Sequence, residues 1–180
     1  DLRDHTVDIE TDVGVTIDAA RGAVIAARAQ LYDTPTRDGY SMVLGAPALR
    51  DQWWFVAGER ADDTTVEYSV YNPGEDDVLV YANVLGFPAG DDFLPPEPFE
   101  VPDGGVVSFS LADVDNVPDG PVAAVFATNP EQPVVVERTW TREITGIRTT
   151  SVAPGGAARP DGHVPSTWYL GIGPDDPTEG

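Results

Sequence analysis

The run Thr64–Asn72 places Val66, Tyr68, Val70 and Asn72 on one side and Thr65, Glu67, Ser69 and Tyr71 on the other. That two-residue period belongs to a strand with one face in a core. Asn72-Pro73-Gly74 stops it with residues suited to a tight turn, and Asp77–Gly86 resumes a strand pattern that reads as its hairpin partner. The same punctuation recurs along the chain. Val7–Ile17 alternates as a half-buried strand or hairpin. Gly22–Tyr32 reads as a strand because Val24 and Ile25 are β-branched and a turn starts at Asp33. Gly39–Leu44 and Trp53–Ala57 follow as further strands. The segment Phe87–Pro98 carries Pro88, Pro95, Pro96 and Pro98 and is expected to be an extended surface connection. Two more strands flank the turn Asp103-Gly104-Gly105, and Gly120–Thr128 and Pro133–Thr141 flank a second Asn-Pro turn at Asn129-Pro130. Short strands with turns every ~8–12 residues, and no amphipathic helix, predict an all-β chain folded as an antiparallel β-sandwich.

Composition narrows the setting. With 180 residues and 41% hydrophobic content, the chain can build a real core. Its 31 acids face 10 basic residues, all arginine, for a formal charge of -21. Such a surface repels phosphate backbones and anionic bilayers, which argues against nucleic-acid or membrane-surface binding. The charge reads as a solvated exterior in a salty or extracellular setting, or one facing a cationic partner. The missing lysine fits a GC-rich genome or a halophile. Without cysteine, disulfides, thiol catalysis and cysteine metal sites fall away. No signal peptide is visible and no apolar run approaches the roughly 20 residues that span a bilayer. Opening at Asp1 without Met, the sequence reads as a processed or trimmed piece.

An internal repeat sets the expected organisation. Ala23–Gly58 aligns with Pro133–Gly173: Arg28 falls on Arg138, Gly39 on Gly146, Ser41-Met42-Val43 on Thr150-Ser151-Val152, and an aromatic pair closes both. Trp53 and Trp168 stand 115 positions apart (168 minus 53). These residues are similar to DUF5719, a family of repeated domains found in secreted and surface proteins of actinobacteria and some neighbouring phyla. The resemblance rests on Trp53, Trp54, Phe55 and Gly58; on Asn72 and Pro73; on Pro133–Val136 with Glu137 and Arg138; and on Trp168, Tyr169 and Gly173. Ala27 stands where Glu137 does, which puts a shared role for that acid in doubt. The resemblance implies an immunoglobulin-like sandwich in an extracellular or cell-envelope setting and implies no catalytic residue.

The expected division is therefore residues 1–52 as the tail of a preceding unit, 53–173 as one complete sandwich, and 174–180 as an acidic, Pro-containing tail. The incomplete unit should pack on the complete one or pair with another chain by strand addition. The expected function is a non-catalytic structural or interaction module, a spacer, scaffold or adhesion domain, with a protein or glycan at the cell surface as partner. One alternative is a carbohydrate-binding module using an exposed Trp54, Trp140 or Tyr169. A second is a strand-sharing subunit of a surface polymer.

No residue set presents itself as catalytic, ligand-binding or metal-binding, and no cofactor is expected. His5 and His163 sit in polar, loop-like contexts without a nucleophile-elbow motif, so they read as surface histidines. Asp113, Asp115, Asn116 and Asp119 have some of the spacing of a calcium loop. Val117 and Pro118, however, occupy the places of a further ligand and the glycine, so a turn capped by Asp is the better reading. Asp62-Asp63 and Asp91-Asp92 are weaker, because adjacent acids on a strand end point apart. A hydrolase would need two carboxylates about 5–10 Å apart across a cleft, which sequence spacing does not identify. Trp53, Trp54, Trp140, Trp168 and Tyr169 could stack on sugars. Neighbouring aromatics on a strand face opposite sides, so one of each pair is expected in the core. Gly104-Gly105 and Gly155-Gly156 read as turns, not phosphate cradles.

Overall fold

The computed structural model describes residues 12–18, 20–22, 25–33, 38–86, 97–115 and 117–157. They form antiparallel strands with a single 3-10 turn at Leu111–Asp113, so the chain is an all-β sandwich. Its first layer orders β11 (Ile147–Pro154), β10 (Val135–Ile144), β5 (Thr64–Tyr71) and β8 (Val106–Ser110). The second orders β12 (Gly156–Ala157), β3 (Gln52–Phe55), β9 (Gly120–Ala127), β6 (Val78–Gly86) and β7 (Glu97–Val101), with β4 (Glu59–Arg60) also on β9.

The alternation seen in the sequence decides which side chains meet between the layers. Val66, Tyr68 and Val70 of β5 and Val134 and Val136 face Trp53 and Phe55, Val78 and Val80, and Val122, Ala124 and Phe126, all buried in one cluster. Each large side chain fully removed from water contributes about 1.5–3 kcal/mol. Tyr68 sits at the centre of an aromatic group, its ring 5.0 Å from Phe55 and 4.9 Å from Phe126. Of the adjacent pair, Trp53 is buried with its indole N–H donating to the Val134 carbonyl at 2.9 Å, while Trp54, on the other face, is half-buried.

The hairpin expected between Thr64–Asn72 and Asp77–Gly86 does not form. Strand β5 pairs with β10 and β8, whereas β6 pairs with β7 and β9, so the Asn72-Pro73 turn carries the chain from one layer to the other. The Asp103-Gly104 turn does the same between β7 and β8, and Asn129-Pro130 between β9 and β10. These arches meet at one end of the sandwich. The Asn72 N–H donates to the Gly105 carbonyl, Gly104 N–H to the Gly74 carbonyl, and Gln132 Nε2 to the Asp77 carbonyl. Hairpins of consecutive strands occur instead at β10–β11, where Thr145 (φ 51) and Gly146 (φ 80) make the two left-handed steps of a tight turn.

The described residues up to Leu44 form a separate layer. Strands β1 (Ala27–Asp33) and β2 (Asp38–Leu44) pair only with each other among the described strands, and β2 lies against β11. Arg28 forms an ion pair with Glu137 of β10, and Tyr32, Ser41 and Val43 are buried. The part of the expected Val7–Ile17 strand that is described, residues 12–17, joins no ladder; residues 7–11 lie outside the described residues. Its side chains hold it instead. Thr16 and Tyr71 hydroxyls bond at 3.0 Å, Asp12 accepts from Ser108, and Gly14 lies against the Tyr71 ring. Tyr71 and Glu137 both point away from the core, so this layer covers the outer face of the first sheet.

Candidate functional site

Strand β3 breaks off at Phe55 and resumes as β4. Phe55 is opposite Ala124 and Glu59 opposite Pro121, so four steps along one strand match three along β9. Val56, Ala57 and Gly58 therefore bulge, and a bulge re-aims the strand locally. A depression of about 360 Å³ opens there, lined by Val56, Ala57, Gly58, Glu59, Pro121, Val122 and Trp140.

Arg138 stands against its wall. Tyr68 is its cross-strand partner, and Arg138 shares the core-facing side of β10 with Val136 and Trp140. Its guanidinium carbon lies 5.4 Å from the Trp140 ring centre and 5.9 Å from that of Phe55, within cation-π range of both. A Cβ on Gly58 would stand 3.9 Å from an Arg138 terminal nitrogen and 3.0 Å from Val122, so glycine leaves room between the bulge and the cation. Arg138 makes no ion pair with a described acid. The buried polar atoms Arg138 Nε, Trp140 Nε1 and Tyr68 Oη have no hydrogen-bond partner among the described residues. Burial pushes the Tyr68 hydroxyl up to about 12, the nearby guanidinium acting the other way. The same burial lowers Arg138 from its usual range, with Tyr68 partly opposing it.

The residues singled out in the sequence fall elsewhere. Asp113 is exposed at the end of the 3-10 turn and Asp115 just after it, Asp119 is exposed before β9, and Asn116 lies outside the described residues. Their segment serves the core through the buried side chains of Val114 and Val117, and Arg60 donates to the Val114 carbonyl at 2.8 Å. Among the described residues no three His, Cys, Asp or Glu gather as metal ligands would. Asp62 and Asp63 are exposed at the β4–β5 turn, where Asp63 pairs with Arg142 at 3.3 Å. Among the described residues Glu59 is the one carboxylate lining the depression, and it reaches Arg142 at 3.5 Å, so the described lining does not supply the carboxylate pair a glycosidase requires. His5, His163, Asp91, Asp92, Trp168 and Tyr169 lie outside the described residues. Trp54 and Trp140 are half-buried, and Trp140 has Arg138 against its ring. In the sequence Arg138 stands out only as a repeat position and as part of the Pro133–Arg138 motif. The signal for more was its parity, a cation two residues from Val136 and two from Trp140 on the core side of an alternating strand.

A second feature lies on the N-terminal layer. Ala27 faces Leu44 across the β1–β2 ladder, Ala29 faces Met42 and Leu31 faces Tyr40, giving three successive apolar pairs on one side of the hairpin before the acidic pair Asp33–Asp38 at its turn end. Leu31 is 77% exposed, Met42 67%, Leu44 62% and Tyr40 61%. Nine of the twelve exposed large apolar side chains among the described residues lie between Val13 and Leu49.

No protein-family model matches the chain, and no curated protein does. Among solved structures, the fold is similar to "Crystal Structure of Thermotoga maritima 1070", with TM-score 0.48 and 16% identity over 61% of this chain and 95% of that one. It is also similar to an Anabaena sensory rhodopsin transducer, with TM-score 0.42 and 21% identity over 53% of this chain and 92% of that one. At these scores the likenesses carry nothing over to this chain's ligands or partners. No described helix is long and apolar enough to cross a membrane.

Proposed function

We propose that this chain is a non-catalytic structural and interaction module of an exported or cell-envelope protein, one that associates with further copies of itself through the outward face of the β1–β2 hairpin. The observation that carries this is the contiguous apolar group of Ala27, Ala29, Leu31, Tyr40, Met42 and Leu44 on one face of a hairpin in a chain of net charge -21. Exposed apolar side chains scattered singly are ordinary, but a contiguous group marks a contact surface. Burying this group removes apolar area from water on both partners, and the acids Asp33 and Asp38 stand at the turn end of the face. The acidic remainder opposes association at long range, so salt should strengthen it by screening.

The exported setting, the immunoglobulin-like character and the repeat organisation rest on the DUF5719-like motifs. The Arg28–Glu137 ion pair supports the repeat reading in one respect. Glu137, for which the tail copy has Ala27, holds the preceding half unit onto the complete one.

Sedimentation of the wild type beside a Leu31→Glu, Met42→Glu double variant tests the proposal. Both sites are exposed, so the variant should keep the wild-type melting temperature. The expected result is a mass that rises with concentration and salt for the wild type and a monomer for the variant. A wild type that stays monomeric, or a variant that assembles equally well, would overturn it.

A further inference from the structure

We propose that Met42 is an oxidation site at which a hydroperoxide weakens the association of copies of this chain, a role that rests on the self-association proposed for the β1–β2 face. The chain has one methionine and no cysteine, so the Met42 thioether is its only sulfur. Solvent reaches it, since Met42 is 67% exposed. A hydroperoxide transfers one oxygen to that sulfur. The O–O bond breaks and an S–O bond forms, the sulfur gives up two electrons and becomes a sulfoxide, and the peroxide leaves as water or an alcohol. No thiol competes for the oxidant.

The place of Met42 in the face gives the added oxygen its effect. It is the middle residue of the three apolar pairs, opposite Ala29 and flanked along β2 by Tyr40 and Leu44. Along β2 the group is bulky, whereas Ala27 and Ala29 of β1 are small, so the face carries a ridge beside a shallow strip. A two-fold contact between copies sets the ridge of each on the strip of the other, which puts the Met42 side chain inside the contact. A thioether suits that place because it is apolar and adapts its shape. A sulfoxide is polar and needs a donor, and among the other five side chains of the group only the Tyr40 hydroxyl can give one. Met42 belongs to no core cluster, so the oxygen acts on the contact and leaves the sandwich intact.

The test treats the full chain with dilute hydrogen peroxide, removes the excess with catalase, and confirms by peptide mass spectrometry that one oxygen has been added at Met42. Treated and untreated chains are then sedimented at matched concentration and salt. The expected result is that the oxidised chain needs at least about fivefold more protein to assemble by half, with an unchanged melting temperature. Oxidation of Met42 should also slow as protein concentration rises, because assembly covers the sulfur. The variant Met42→Leu, apolar but without sulfur, should sediment alike before and after peroxide. An untreated wild type that stays monomeric would overturn the self-association and the oxidation site together. A wild type that assembles equally well with Met42 oxidised, or a Met42→Leu chain that peroxide disperses, would overturn the oxidation site alone. The wild-type comparison decides the matter even where the variant assembles less.

Discussion

The side-chain amide of Asn72, fully buried, donates to the carbonyl of Val101, 29 positions further along the chain, at 3.1 Å, joining the first arch of the sandwich to the end of β7. The same nitrogen reaches the carbonyls of Asp76 at 2.9 Å and Pro102 at 3.1 Å, while its oxygen accepts from Gly74 N–H at 2.9 Å. One residue thus satisfies backbone groups that the chain leaves unpaired where it changes layers. An Asn-Pro-Gly turn is common chemistry, but a buried Asn with this set of partners is a structural joint.

Asn72→Ala should therefore be among the most destabilising single changes, by about 3 kcal/mol, because buried carbonyls keep their desolvation penalty without a donor. Urea unfolding checks this. The midpoint should fall while the slope is unchanged, since the surface exposed on unfolding stays the same. A loss no larger than that of an exposed substitution would contradict the role given to Asn72.

Tyr68 gives the stability an alkaline limit. Its folded value is raised from 10.0 to about 12, so the folded state holds a proton that the unfolded chain releases from about pH 10. The contribution is complete below pH 10 and is lost as pH rises through 12. Arg138, lowered in the fold, acts with the opposite sign, since deprotonation relieves its burial. The melting temperature should decline over this window less in Tyr68→Phe than in the wild type. The tyrosinate absorbance of the folded wild type should exceed that of Tyr68→Phe only as pH approaches 12. A difference already complete near pH 10 would contradict it.

The first segment should detach without unfolding the sandwich. A Cβ at Gly14 would lie 2.1 Å from the Tyr71 ring, so Gly14→Ala must displace either the ring or the segment. Tyr71 points outward and belongs to no core cluster, which makes the stability of the sandwich itself insensitive to that shift. Proteolysis within residues 12–18 should accelerate while the unfolding free energy changes by less than about 0.5 kcal/mol. A loss as large as that of a core truncation would mean that this layer and the sandwich form one cooperative unit.

Much of the strand inventory was legible because burial follows parity. Val66, Tyr68 and Val70 are buried and Thr65 is exposed, as the alternation required. Pairing was not legible, and the reason is physical. Asn72-Pro73 and Asp103-Gly104 supply the dihedral angles of a tight turn whether the next strand lies beside the last one or across the core. Only the distant partners β10 and β9 decide between hairpin and arch. Strand β11 was hidden by its run of Arg148, Thr149, Thr150 and Ser151, which has no apolar alternation and gains its place by pairing with β10. The bulge at Val56–Gly58 was hidden for a related reason, since a bulge is a mismatch between two strands and neither sequence shows it alone.

Hydrogen exchange of the wild-type chain at low and high protein concentration, in dilute and in concentrated salt, tests the central claim most directly. Self-association through the N-terminal hairpin should slow exchange in Ala27–Leu44 as concentration and salt rise, with the amides of β5, β6 and β9 unchanged. Exchange in Ala27–Leu44 that is independent of concentration and salt, or a change confined to other strands, would contradict it.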